Sequence, residues 1–204
     1  MIFMTPANNH TTKERILDAA QAIMLEKSFH SVGLNEILKA EGIPKGSFYH
    51  HFESKEQFGV ELLRHYVSGA HAYKRRMLLS SEPESNPRKR LITYLESSVA
   101  TLMANEGKCP CLMVKLASEV AESSDAMRQV LADSHQESIG IMETVILEGL
   151  EKKMLRCEHD PRTAAMLIGD LWIGAMQRAS IERSVEPLRK AIDFIFEDLI
   201  LKPA

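Results

Sequence analysis

Gly42 and Pro44 restrict the fold of this chain more than any other residues; they lie inside LNEILKAEGIPKGSFYHHF, which runs from Leu34 to Phe52. Ahead of them Leu34, Ile37 and Leu38 recur at helical spacing on one side, with Asn35, Glu36 and Lys39 on another. Glycine adopts the left-handed conformation that closes many helices, while proline lacks an amide proton and holds φ near the value of a first helical turn. The two residues predict a short helix stopping at Gly42, a tight turn, and a second short helix starting near Pro44. That second helix presents Lys45, Gly46, Ser47, Tyr49 and His50, while Phe48 and Phe52 turn back toward a core. Such a pair has the outline of a helix-turn-helix, whose second helix reaches base edges and phosphates in a DNA major groove.

The rest of the chain reads as helices. Thr11 and Glu14 have capping-box spacing, and Ile16, Ala19, Ala20, Ile23 and Met24 form one apolar stripe with Phe29, Ile37 and Phe52 as its natural partners. A three-helix unit of this size has little core of its own. Ser54 and Gln57 repeat the capping-box spacing, and Phe58, Leu62, Leu63, Tyr66 and Val67 carry a helix to about Leu79. SSEPESNP is a loop, after which Asn86 caps and Pro87 opens a helix lasting until Glu106-Gly107. Pro110 suits a first helical turn, which would put Cys111 in the opening turn of a short helix carrying Leu112, Val114, Leu116 and Val120. Ser124 or Asp125 caps a longer helix through Leu150, Asp160-Pro161 starts another through Met176, and Glu186-Pro187 opens the last, with Leu188, Ala191, Ile192, Ile195, Phe196, Leu199 and Ile200. No strand and no repeat is read, so the fold class is all-α.

The run IPKGSFYHHFESKEQF resembles the signature of the TetR family of one-component transcriptional repressors. The turn, the Lys-Gly-Ser-Phe-Tyr-His-His-Phe run and the Ser54-Lys55-Glu56 start of a linking helix stand in the family's order. Val32, Gly33 and Leu34 depart from it, standing where members often carry threonine-rich, β-branched residues. The resemblance implies a three-helix DNA-binding domain over residues 1–53 and an effector-sensing, dimerising helical domain over 54–204. It also implies a homodimer joined by its last two long helices, a double-stranded operator with an inverted repeat, and a small-molecule effector or electrophile. Taken alone, the last two helical stripes, with small Ala164, Gly169, Gly174, Ala175 and Ala179, suit a monomer core as well as an interface.

Composition narrows the classes. Over 204 residues, 45% hydrophobic and 26% charged residues are ordinary for a soluble globular protein, which removes disordered and fibrous classes. No apolar run is long enough for a bilayer, so no membrane partner is expected, and MIFMTPANNHTT has neither a basic start nor a long apolar stretch, so the expected location is cytoplasmic. Three cysteines argue against a secreted disulfide framework. Net charge is −3, and the six basic and six acidic side chains of residues 1–55 cancel. With no bulk basic footprint, DNA binding depends on placement: Lys45 and Lys55 lie near helix starts, where backbone amides also favour phosphate.

Cysteine chemistry is the sharpest signal beyond residue 53. A thiol at a helix start has its thiolate favoured by the helix dipole, and Lys108 and Lys115 could add positive charge beside Cys111; the competing reading is a small buried hydrophobe. CLMVKLASEV, and IERSVEPL near the end, resemble a TetR subgroup that represses electrophile-detoxifying reductases and responds to N-ethylmaleimide-like compounds, quinones or reactive chlorine. Carried over, that subgroup's sensing cysteine falls on Cys111; Cys109 departs from the usual pattern and leaves a two-thiol response open. Trp172 and the methionines suit a ligand pocket as well as plain packing. Cys157-Glu158-His159-Asp160 has metal-ligand residue types, but helix capping explains Asp160 and Pro161, so no metal site is read. His30, His65, His71 and His135, scattered singly, are read as exposed.

No phosphate-cradling glycine loop and no acid/base pair appears, so neither catalysis nor a cofactor is expected. A thiol enzyme using Cys109 and Cys111 would need a strand-helix context that the pattern lacks. A helical interaction module without DNA function would leave Tyr49 and His50 without a purpose. The favoured function is a DNA-binding transcriptional repressor released from its operator by a small molecule or by cysteine modification; the alternative is release by a reversible, non-covalent ligand.

Overall fold

The computed structural model describes residues 11–27, 29 and 31–198. Among them are nine α-helices and no strand: α1 Thr12–Glu26, α2 Leu34–Ala40, α3 Lys45–His51, α4 Lys55–Leu79, α5 Pro87–Ala104, α6 Leu112–Ala121, α7 Asp125–Glu151, α8 Pro161–Glu182 and α9 Glu186–Asp193. A π-helical turn, Phe194–Asp198, continues α9. His30, Leu199 and Ile200, named above from sequence, lie outside the described residues.

Local chemistry sets most of the boundaries. The Thr11 hydroxyl accepts the Glu14 N–H at 3.2 Å and the Glu14 carboxylate accepts the Thr11 N–H at 2.7 Å, a reciprocal cap that starts α1. Gly42, at φ +64, turns the chain out of α2 in a conformation that a side chain would strain. Pro44 stands one place earlier than expected: it is the extended residue that caps α3, its carbonyl accepting the Ser47 N–H at 2.9 Å. Asn86 starts α5 by accepting the Arg88 and Lys89 N–H groups at 2.9 and 3.2 Å. The Ser54–Gln57 box is half formed. Ser54 Oγ accepts the Gln57 N–H at 3.0 Å, but the Gln57 side chain reaches past Ser54 to the Glu53 N–H at 2.6 Å. Helix α5 ends at Ala104, short of the expected stop, before the left-handed pair Glu106 and Gly107.

Packing divides the chain into two compact units, Met1–Ala70 with Cys111–Ser134, and His71–Pro110 with His135–Ala204. This grouping differs from a cut at residue 53: α6 and the start of α7 pack with α1, α2, α3 and the first part of α4. The small three-helix unit thereby obtains the apolar surface it lacked. Ile16, Met24, Ile37, Phe48, Phe52, Phe58 and Leu62 share one buried core with Leu112, Leu116, Val120 and Met127. At its centre the Phe48, Phe52 and Phe58 rings lie 4.9–5.3 Å apart between centroids in tilted and edge-on contacts.

The other unit buries Leu91, Leu95, Leu102, Val145, Ile146, Ile168, Ala179, Leu188 and Ile195. It also buries polar groups that the sequence reading left outside. His71 is buried rather than exposed, with Nδ1 3.1 Å from a Glu137 carboxylate oxygen, and burial holds its pKa below the ordinary value. His65, in the first unit, is half-buried with Nε2 2.7 Å from Asp18. His135 is exposed as expected.

Candidate nucleic-acid interface and thiol site

Helix α3 separates its side chains by task. Phe48 is buried under it, while Lys45, Gly46, Tyr49 and His50 are exposed and Ser47 is half-buried. Tyr49 is 60% exposed, an unusual degree for a large aromatic, with its ring set edge-on against Phe48 at 5.5 Å. The preceding α2 is tied to α1: Arg15 of α1 bonds both the carboxylate and the carbonyl of Glu41 at 3.1 and 3.3 Å, and Lys27 pairs with Glu36 of α2 at 2.5 Å. These pairs occupy the acids of α2 and its C-cap. Among the described residues Lys45 has no such partner. Lys55 is exposed at the start of α4, but its ammonium lies 3.4 Å from the Val32 carbonyl and 5.2 Å over the Phe29 ring.

The thiol site differs from the expected one in where its helix starts. Pro110 and Cys111 precede α6, which begins at Leu112; Cys111 is its extended N-cap, half-buried, its carbonyl accepting the Lys115 N–H at 3.1 Å. The Leu112 N–H is satisfied by the Tyr66 hydroxyl of α4 at 3.1 Å. The Lys115 ammonium donates to the Leu25 carbonyl, one of the unpaired carbonyls of the last turn of α1. Lys115 thus serves a helix end.

Cys109 is half-buried and belongs to the other packing unit, its N–H donating to Ser180 Oγ of α8 at 3.1 Å. No disulfide joins any of the three cysteines. Cys157 lies between α7 and α8, where burial raises its thiol pKa; the nearby Asp160 and Glu158 carboxylates add to this and a hydrogen bond from the His159 backbone opposes it. Asp160 accepts the Thr163 N–H at 3.0 Å, and no metal-binding group of three or more side chains occurs among the described residues. Trp172 is half-buried on α8. Sequence reasoning missed the Tyr66 hydroxyl, which it counted only as part of an apolar stripe. The available signal was that a buried tyrosine needs a partner for its oxygen.

A helix-turn-helix carried by α2 and α3, followed by a long helix and a larger helical part, defines a one-component DNA-binding regulator. Residues 16–62 match the bacterial regulatory proteins of the tetR family, and residues 87–195 match the Tetracyclin repressor-like, C-terminal domain. The chain belongs to the TetR family: it is a transcriptional repressor that binds operator DNA, and not an enzyme. It is 34% identical to the HTH-type transcriptional repressor NemR of Escherichia coli (strain K12) over 203 residues, covering 98% of this chain and 100% of that one. The crystal structure of E. coli NemR in its reduced form superposes with a TM-score of 0.85 at 33% identity, over 95% of this chain and 100% of that one. The HTH-type transcriptional repressor DhaR of Mycobacterium sp. (strain GP1) is 30% identical, covering 96% of this chain and 93% of that one. No helix among the described residues is long and apolar enough to cross a membrane.

Proposed function

We propose that this repressor works in the cytoplasm as a homodimer on an inverted-repeat operator, and that modification of Cys111 by an electrophile or oxidant releases it. The observation that carries the release step is the hydrogen bond from Leu112, the chain neighbour of Cys111, to Tyr66 of α4. An adduct on Cys111 changes the N-cap residue of α6 and moves the Leu112 amide. Tyr66 lies on the helix that starts immediately after the DNA-reading helix, so the disturbance is passed to α4. The division of tasks at residues 53 and 54 follows: DNA reading before it, sensing and dimerisation after it.

Dimerisation is supported by α8 and the end of α9. Met166 and Leu167 are exposed on α8, Phe194 is exposed just beyond α9, and a side-chain carbon added at Gly169 or Gly174 would meet open space. Small residues beside exposed apolar ones let a second copy approach closely. Two subunits are required because the half-sites of such an operator lie about one DNA turn, roughly 34–36 Å, or a related spacing apart.

Contacts to DNA fall to Lys45, Gly46, Ser47, Tyr49 and His50 of α3, with Lys55 as a further phosphate contact. Sedimentation should give a dimer, and selection from random duplexes should return an inverted repeat. A stable monomer that shifts no duplex at low salt would contradict the proposal. Tyr49→Ala should weaken operator binding without unfolding the protein, and Lys45→Ala should reduce the salt dependence of log K by about 0.9 per subunit, one phosphate contact.

For the effector, Cys111→Ser should keep operator affinity and lose the response to N-ethylmaleimide, while Cys157→Ser keeps both. Cys109→Ser separates one-thiol from two-thiol chemistry: losing only the oxidant response means that the pair cooperates. The half-buried indole of Trp172 on α8 supports a second reading. In that reading a reversible ligand beside Trp172 causes release.

A further inference from the structure

Lys115 and Glu119 stand at i and i+4 of α6, and therefore on one face of it, four and eight residues after the Cys111 N-cap. Both side chains are bonded to the end of α1. Lys115 donates to the Leu25 carbonyl in the final turn of α1, and the Glu119 carboxylate accepts the Phe29 N–H just behind that helix at 3.0 Å. The α1 end is in turn joined to α2 through Lys27 and Glu36 at 2.5 Å, and α2 shares its core with Phe48 of α3. A continuous series of bonds and packed side chains thus leads from the thiol end of α6 to the reading helix without passing along α4.

We propose that Lys115 and Glu119 are positioning residues for DNA recognition: they hold the end of α1 against α6 and carry a displacement at Cys111 into the reading helices. The physical reason is geometric. A short α-helix moves nearly as a rigid body, and charge-assisted hydrogen bonds at their normal length break under a shift of about 1 Å. Once they break, the Leu25 carbonyl and the Phe29 amide turn to water, and the hold on α1 is lost. Tyr66 gives α6 a separate attachment to α4, so the two routes can be tested independently. The inference rests on Cys111 modification as the releasing event.

The test uses the full chain, N-ethylmaleimide as the probe, peptide mapping to establish labelling of Cys111, hydrogen exchange over residues 25–32, and operator affinity before and after labelling. In the wild type, labelling should speed exchange at Phe29 by about tenfold or more, the loss of one charge-assisted hydrogen bond. Unchanged exchange at Phe29 with Cys111 fully labelled overturns the inference, whatever the DNA does. Lys115→Met should label at the wild-type rate, yet the ratio of unlabelled to labelled affinity should fall toward one; Lys115→Arg should restore it. If the wild type releases DNA on labelling and Lys115→Met keeps the same ratio, the inference is wrong while the cysteine reading stands. If labelled wild type stays bound, the cysteine reading fails, and the exchange measurement still decides whether the coupling exists. Should Lys115→Met not fold, Glu119→Leu is read in the same way.

Discussion

Lys74 brings an ammonium group into the interior, donating to the Ser138 carbonyl at 3.1 Å and hydroxyl at 2.5 Å, with the Tyr94 ring 5.7 Å away. Burial lowers its pKa from 10.5 to about 8. The folded state therefore gives up this proton before the unfolded chain does. The cost of burying the charge is present in full below about pH 8 and is relieved as pH rises from 8 to 10.5, so stability gains up to about 3 kcal/mol across that window. His71, whose pKa burial lowers from 6.5, is already neutral in that window. Unfolding free energies of wild type and Lys74→Met should accordingly differ by an amount that moves in favour of the wild type between pH 7.5 and 10. A difference that ignores pH would contradict this. Gly59 gives a second residue-level expectation: a side-chain carbon there would lie 2.7 Å from the Phe29 ring and 2.8 Å from the Met127 sulfur. Gly59→Ala should lower the urea midpoint by overpacking, at a cost of about 1–3 kcal/mol.

At the scale of elements, helix starts were legible wherever one polar residue performs the cap. Thr11, Asn86 and Asp160 were each read from sequence and each accepts the amide it should. Asn86→Ala should cost about 1 kcal/mol in the same urea assay; an unchanged midpoint would mean that the Pro87 turn holds α5 without it. Helix α6 shows where such reading stops. Proline suits both a first helical turn and the extended residue before a cap, and Cys111 offers no capping oxygen, so nothing local fixed the boundary. The capping oxygen comes from Tyr66, distant in sequence. His71 was misread for the same reason, and the bond of Lys115 to Leu25 went unforeseen, because Glu137 and Leu25 are brought to them only by folding. On α3 helical periodicity alone separates buried from exposed positions, and there the pattern of buried Phe48 and exposed Lys45, Tyr49 and His50 agrees with the sequence reading. Tyr66→Phe removes the cap acceptor. It should destabilise the protein by about 1 kcal/mol and leave Cys111 open to labelling.

For the whole molecule, charge is the constraint that makes release easy. A net charge of −3, with basic and acidic side chains balanced over residues 1–55, gives DNA little bulk attraction. In the proposed dimer, affinity then depends on two α3 helices meeting two half-sites at once, and a small displacement of either removes much of it. An effector can weaken binding only by its preference for the released arrangement, and a tenfold effect requires about 1.4 kcal/mol of such preference. The deciding measurement is a titration of operator-bound protein with substoichiometric N-ethylmaleimide, following DNA release by fluorescence anisotropy and the modified fraction of each cysteine by peptide mapping in the same samples. Release should rise in step with modification of Cys111 and be indifferent to Cys157. DNA released while Cys111 remains unmodified, or Cys111 fully modified on protein that stays bound, would contradict the proposed mechanism.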